Sequence, residues 1–263
     1  MRNLKLILSY DGTDFAGWQV QPEASTVQGS LASAIGRLTG EKVLPQGSGR
    51  TDAGVHALAQ VVTFVTESSV PTANFLKALN DLLPPSIRVL QVEDVPPDFH
   101  ARHSAHGKTY RYRIYRGAIC PPFLARYVWH YPFPLDESVM VRAAGLLEGE
   151  HDFTSFAAVD PERGRKDKDQ DQDEDEHARA STPSNVRIIF HSAWELQADE
   201  LIYTVKGSGF LHHMLRNLVG TFILLGKGTL GAHDLQRILQ ARDRSAAGAT
   251  APAGGLYLVD VEY

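Results

Sequence analysis

Over the first 95 residues, segments with a two-residue hydrophobic period alternate with segments of helical period, and their order narrows the fold sharply. Leucines at every second position from Leu4 to Leu8 predict a strand. Ser25 and Gln28 fit a capping box that opens the first helix, and Pro84 stops the second. The predicted strands lie at residues 4–10, 42–44, 60–66 and 87–95, and the predicted helices at 27–38 and 72–82. The order β-α-β-β-α-β is typical of a ferredoxin-like fold.

The second half of the chain again mixes strands with helices. The predicted strands lie at residues 108–115, 186–194, 201–206 and 256–263, and the predicted helices at 136–147, 210–225 and 232–241. We therefore predict an α+β protein of two ferredoxin-like, RNA-recognition-like lobes. They share an extended mixed, largely antiparallel sheet. The N-terminal lobe covers residues 1–105 and the C-terminal lobe residues 106–263.

The net charge of −5 hides an uneven distribution. The segment from residue 160 to 181 holds nine acidic residues against five basic ones, and its low apolar content predicts a disordered loop or a charged hairpin tip. By contrast, residues 99–135 contain no acidic residue. A locally basic surface of this kind binds phosphates, although solvated strand faces explain it equally well. The absence of a long apolar run and of a signal peptide predicts a soluble, cytoplasmic protein without membrane contact.

An unusual glycine-rich string between two predicted strands, residues 47–57, is the strongest candidate for chemistry. It places the cation of Arg50 two residues from the carboxylate of Asp52, between glycines that allow close approach of a ligand. The alternative is an Asx turn at Asp52 with glycines that serve only the backbone. His100, His103 and His106 are spaced like metal ligands, but they lie near the predicted lobe boundary and fit a basic surface better, so we predict no metal site.

The glycine-rich string and several other short stretches of this sequence, taken together, resemble the tRNA pseudouridine synthase A family. The matching strings follow one another along nearly the whole chain, at residues 10–12, 15–19, 26–28, 49–57, 99–102, 108–112, 149–153, 210–216, 250–253 and 255–256. The resemblance implies an enzyme that converts uridine to pseudouridine at positions 38, 39 and 40 of the tRNA anticodon stem-loop. It also implies a homodimer that holds tRNA across both subunits and needs no cofactor and no metal.

The resemblance also implies roles for particular residues. Asp52 becomes the catalytic aspartate, Tyr110 contacts the target base, and Arg216 pairs with the aspartate. Arg50 assists entry of the flipped nucleotide. We further expect Arg102, Lys108 and His212, which lie in matching strings, to bind the substrate.

Several alternatives stay open at this point. Asp52 either attacks C1′ as a nucleophile or removes a 2′ proton to give a glycal, and the base that removes the C5 proton is either the Tyr110 hydroxyl or a water. A non-catalytic RNA-binding module would share the ferredoxin-like topology, although the glycine-and-aromatic signature of such modules is missing. A glycosidase acting on a small nucleoside would normally require two carboxylates.

Overall fold

The computed structural model describes residues 1–158, 184–231 and 233–263. In these ranges the strands are β1 (Arg2–Tyr10), β2 (Gln46–Gly47), β3 (His56–Thr66), β4 (Ile87–Val95), β5 (Gly107–Tyr115), β6 (Trp129–His130), β7 (Gly149–Asp152), β8 (Val186–Gln197), β9 (Glu200–Gly207) and β10 (Leu256–Glu262). The α-helices are α1 (Val27–Thr39), α2 (Thr72–Leu82), α3 (Glu137–Ala144), α4 (Met214–Gly226) and α5 (Asp234–Ala241). The acidic segment at residues 160–181 lies outside the described residues. No helix in the described ranges has the length and apolar character needed to cross a membrane.

The strands of the described residues form one mixed sheet. Its order is β4-β1-β3-β10-β5-β9-β8-β7, with β2 attached to β3 and β6 attached to β5. Most pairs are antiparallel, whereas β10 runs parallel to β3 and β6 parallel to β5. This confirms the predicted mixed, largely antiparallel sheet. Because β10 lies between β3 and β5, the last strand of the chain joins two strands that are distant in sequence.

The described chain forms two compact units. The first contains residues 1–133, 191–208 and 252–263, and the second contains the described residues of the ranges 134–190 and 209–251. These units group residues by packing, whereas the predicted lobes follow the order of the elements. The division into lobes after residue 105 therefore stays a prediction.

The core of the first unit follows the predicted periods. Leu4, Leu6 and Leu8 are fully buried on one face of β1, as alternation along a strand requires. The apolar faces of α1 and α2 are buried as well, and the Phe75 ring of α2 lies 6.2 Å from the Phe64 ring of β3. The β-α-β-β-α-β order is confirmed over residues 2–95.

The capping box predicted at the start of α1 is wrong. The N-cap is Thr26, whose hydroxyl accepts a hydrogen bond from the Gly29 amide. The Gln28 side chain instead accepts from the Val20 amide and donates to the Pro45 carbonyl. That second bond ties the chain before β2 to α1. The strand predicted at residues 42–44 is absent. The paired residues come after Pro45, in β2.

Helix α4 is the centre of the second unit and is buried along most of its length. It begins at Met214 rather than at the predicted residue 210, because His213 adopts a left-handed conformation with φ 58°. Gly220 lies against the chain at residues 248–249, and a Cβ at position 220 would lie 1.7 Å from the Ala249 carbonyl oxygen. The segment at residues 245–255, predicted to be an ordered loop, thus packs directly on the helix backbone near residue 249.

We expect Gly220→Ala to lower the free energy of unfolding by about 2–3 kcal/mol, the typical cost of overpacking. The clash is with a backbone carbonyl, so no rotamer change relieves it, and it exceeds the gain in helix propensity of about 1 kcal/mol. Gly145→Ala is the matched control, because a Cβ there meets nothing within 4 Å. Denaturant unfolding of both variants checks this. Equal stability of the two would contradict the close packing at residue 220.

Candidate active site

The loop between β2 and β3 carries Asp52, and both strands that flank it belong to the first unit. Asp52 is half-buried, whereas Arg50 is exposed. The Val55 amide donates to the Asp52 carbonyl at 3.1 Å and closes a tight turn around Gly54, which has φ +78°. A left-handed conformation of this kind favours glycine. The loop therefore presents one half-buried carboxylate on a compact turn.

The end of β1 and the loop that follows it hold Thr51, the neighbour of Asp52. The Tyr10 hydroxyl lies 2.8 Å from the Thr51 hydroxyl, and the Trp18 amide donates to the Thr51 carbonyl at 3.0 Å. Gly17 permits this approach: it has φ +97°, and a Cβ there would lie 2.7 Å from the Thr51 carbonyl oxygen. These contacts fix the backbone directly before Asp52.

The start of the loop is anchored to β3 and β5. The Gln60 side chain donates to the Gly49 carbonyl at 2.8 Å and accepts from the Ser48 hydroxyl at 2.6 Å. The Lys108 ammonium donates to the Ser48 carbonyl at 2.5 Å. Bonds from several elements thus immobilise the loop before any substrate arrives, which is the preorganisation that catalysis requires. The supporting roles of Gln60 and of the Tyr10 hydroxyl are not predictable from the sequence, because a single polar residue in a strand carries no local signal.

Tyr110 of β5 lies close to this loop. In the sheet register it pairs with Leu258 of β10, which pairs with Ala57 of β3. Burial raises the pKa of the Tyr110 phenol, and the charges of Tyr10 and Asp52 raise it further. Tyr110 is 7% exposed. Asp52 and Tyr110 are two of the predicted site residues. Both lie in the first unit, and the charge of Asp52 raises the pKa of the Tyr110 phenol.

Lys108 and Arg102 also belong to the first unit. Burial lowers the pKa of Lys108 to about 8, and the charge of Arg102 contributes to this shift. The Lys108 side chain points at the loop backbone, whereas Arg102 is exposed. Lys108 is therefore a structural support of the Asp52 loop in addition to being a predicted substrate contact.

Arg216 and His212 belong to the second unit. The Arg216 Nε donates to the Ala251 carbonyl at 2.7 Å, and the Ala251 amide donates back to the Arg216 carbonyl at 3.1 Å. The His212 ring lies 3.9 Å from the ring of His213, at the start of α4. Arg216 is thus fixed at the first turn of α4 by the chain that leads into β10. Its predicted pairing with Asp52 stays a prediction.

Comparison with known proteins defines the class as pseudouridine synthases, which are isomerases. A family model described as tRNA pseudouridine synthase matches residues 6–104 and 143–263. The chain belongs to this tRNA pseudouridine synthase family, as its sequence resemblance predicted.

Relatives in several bacteria match along the whole length of the chain. A protein named tRNA pseudouridine synthase A from Solibacter usitatus is 48% identical over 263 residues, which cover 100% of both chains. Proteins of the same name from Moorella thermoacetica and Lacticaseibacillus casei are 45% and 43% identical, with 99% and 100% of each chain covered. This similarity favours an enzyme over a non-catalytic RNA-binding module.

Proposed function

We propose that this protein converts uridine to pseudouridine at positions 38, 39 and 40 of the tRNA anticodon stem-loop, with Asp52 as its catalytic carboxylate. The observation that carries the proposal is the full-length similarity to proteins named tRNA pseudouridine synthase A. The choice of Asp52 is supported by the hydrogen bonds that anchor its loop and by the effect of its charge on the pKa of the buried Tyr110.

The chemistry fits one carboxylate. The reaction breaks the N1–C1′ bond of uridine, turns the uracil and joins it again through C5, so atoms are neither gained nor lost and no redox cofactor is required. Positive character develops at C1′ as uracil departs, and an adjacent carboxylate stabilises it. Asp52 either attacks C1′ and forms an ester that uracil later displaces, or it removes a 2′ proton to give a glycal.

The target base must leave the helical stem before it reacts. Flipping a base out of a stem costs a few kcal/mol, and stacking on an aromatic ring offsets about 1–3 kcal/mol. Tyr110 supplies such a ring beside Asp52, and Arg50 on the same loop would guide the flipped nucleotide. Arg216 would keep Asp52 ionised and oriented, and Arg102, Lys108 and His212 would contact the RNA. The active form would be a cytoplasmic homodimer with tRNA across both subunits, and it would use no metal.

The decisive experiment is pseudouridine mapping in tRNA from cells that lack this protein. We expect pseudouridine to be missing at positions 38, 39 and 40, and to return when the wild-type gene is supplied. The Asp52→Asn gene should not restore it. Unchanged pseudouridine in the deletion strain would contradict the proposal. Cleavage of free uridine by the purified protein would instead favour a nucleoside glycosidase.

A further inference from the structure

His56 is the first residue of β3 and directly follows the loop that carries Asp52. Its side chain is almost fully buried, at 1% exposure. The ring is stacked on Tyr257, with centroids 4.8 Å apart, and the Tyr127 ring lies 5.4 Å away. A histidine in such a position has its protonation state set by the groups that its two nitrogens contact.

The contacts of the ring define one neutral tautomer. The Gly12 amide donates to Nδ1 at 3.1 Å, so Nδ1 carries a lone pair. Nε2 lies 3.1 Å from the Arg126 carbonyl and 3.2 Å from the Gly254 carbonyl, which both accept. The hydrogen therefore sits on Nε2. In this state His56 joins residue 12, residue 126 and residue 254 to the end of the Asp52 loop.

Protonation of Nδ1 would disrupt this arrangement. The Gly12 amide would lose its acceptor and face an N–H group instead, which is unfavourable for a buried donor. Gly12 also touches the loop itself: a Cβ at position 12 would lie 1.9 Å from the Val55 carbonyl oxygen. A shift of Gly12 would therefore reach Val55, whose amide closes the turn at Asp52.

The charged groups around the ring have opposite effects on the pKa of His56. Asp11 Oδ1 lies 3.3 Å from Nδ1 and favours the protonated ring, whereas the Arg126 guanidinium disfavours it. Asp11 is already engaged: Thr13 donates to Oδ1, and the Tyr127 hydroxyl donates to Oδ2 at 3.0 Å. The further charged or titratable groups of this network are Asp14, which pairs with Arg126, and Arg113, whose Nη1 lies 3.5 Å from the Tyr257 hydroxyl. Burial dominates and lowers the pKa of His56 below its usual value.

We infer that His56 is a positioning residue: its uncharged ring, with the hydrogen on Nε2, holds the Asp52 loop in its reactive arrangement, and protonation of the ring loosens the loop and slows turnover. This inference rests on the proposed role of Asp52. Since burial lowers the pKa of His56, the uncharged ring prevails at neutral pH, and the midpoint of the loss of turnover should lie on the acid side of the ordinary histidine pKa.

The test measures kcat and KM for tRNA between pH 5 and 8. We expect wild-type kcat to fall on the acid side, and His56→Gln to show kcat reduced about tenfold at pH 7.5 with no acid-side fall and an unchanged KM. Asp11→Asn keeps the histidine and removes the neighbouring carboxylate, so the acid-side midpoint should move to lower pH by at least about half a unit. His233→Gln, an exposed site in the second unit, should retain the wild-type profile.

An acid-side fall that persists in His56→Gln would overturn the inference, and so would an unmoved midpoint in Asp11→Asn. If His56→Gln fails to fold, the Asp11→Asn profile decides alone. Histidine ¹⁵N spectra give a readout that does not depend on activity, and they should show hydrogen on Nε2 of His56 at pH 7.5. The proposed function fails separately, namely if Asp52→Asn turns over tRNA normally.

Discussion

We expect turnover of tRNA to fall by about 10⁴-fold or more when Asp52 is replaced by asparagine, the scale of loss seen when a nucleophile is removed. The amide has nearly the volume of the carboxylate, but it neither attacks C1′ nor accepts a proton from C2′. The loop should keep its conformation, because the substitution retains the bonds that anchor Thr51, Gly49 and Ser48. Tritium release from tRNA labelled at C5 of uridine measures turnover, and filter binding measures affinity, which should change little.

Asp81→Asn is the matched control for this variant. Asp81 is an exposed residue of α2 and lies outside the catalytic loop, so the same loss of charge there should leave turnover unchanged. Thermal unfolding of both variants separates a chemical effect from a folding defect. Normal turnover by Asp52→Asn would remove this carboxylate from the mechanism.

Local patterns in the sequence predicted the elements of the fold well. Helix α2 runs from Thr72 to Leu82 and β4 from Ile87 to Val95, as predicted, because Pro84 and Pro85 separate two segments of different hydrophobic period. Hydrophobic periodicity and helix-breaking prolines are properties of residues close together in the sequence. The elements that they predict form in the folded chain where tertiary packing does not oppose them. At His213, a left-handed backbone delays the helix that apolar residues predicted.

The hydrogen bonds that hold the candidate site in place could not be predicted from local sequence patterns. The bond between Tyr10 and Thr51 joins residues 41 positions apart, and that between Lys108 and Ser48 joins residues 60 apart. Their formation depends on the strand order, in which β10 enters between β3 and β5. The glycine-rich string predicts where chemistry occurs, but only the folded chain reveals which side chains hold that loop in place.

Electrostatics restrict what the Tyr110 hydroxyl does in the reaction. Its pKa is raised by burial, by Tyr10 and by Asp52, so the phenol is uncharged at any working pH. An uncharged phenol already carries a proton on its oxygen. It can therefore remove the proton from C5 only if it gives its own proton to another group at the same time. On the ester route Asp52 is a suitable acceptor, because C5 of uracil displaces the ester from C1′ and leaves the carboxylate ionised again. A water in the site would compete for the same role.

Tyr110→Phe distinguishes these two routes. We expect turnover to fall by about 10²-fold or more, the usual contribution of a positioned acid–base group, while tRNA affinity is retained because the ring still stacks. Tyr110→Ala removes the ring as well and should weaken binding in addition. Single-turnover rates of pseudouridine formation check the first effect and filter binding the second. Near-normal turnover by Tyr110→Phe would assign the C5 proton to water and leave Tyr110 as a stacking surface.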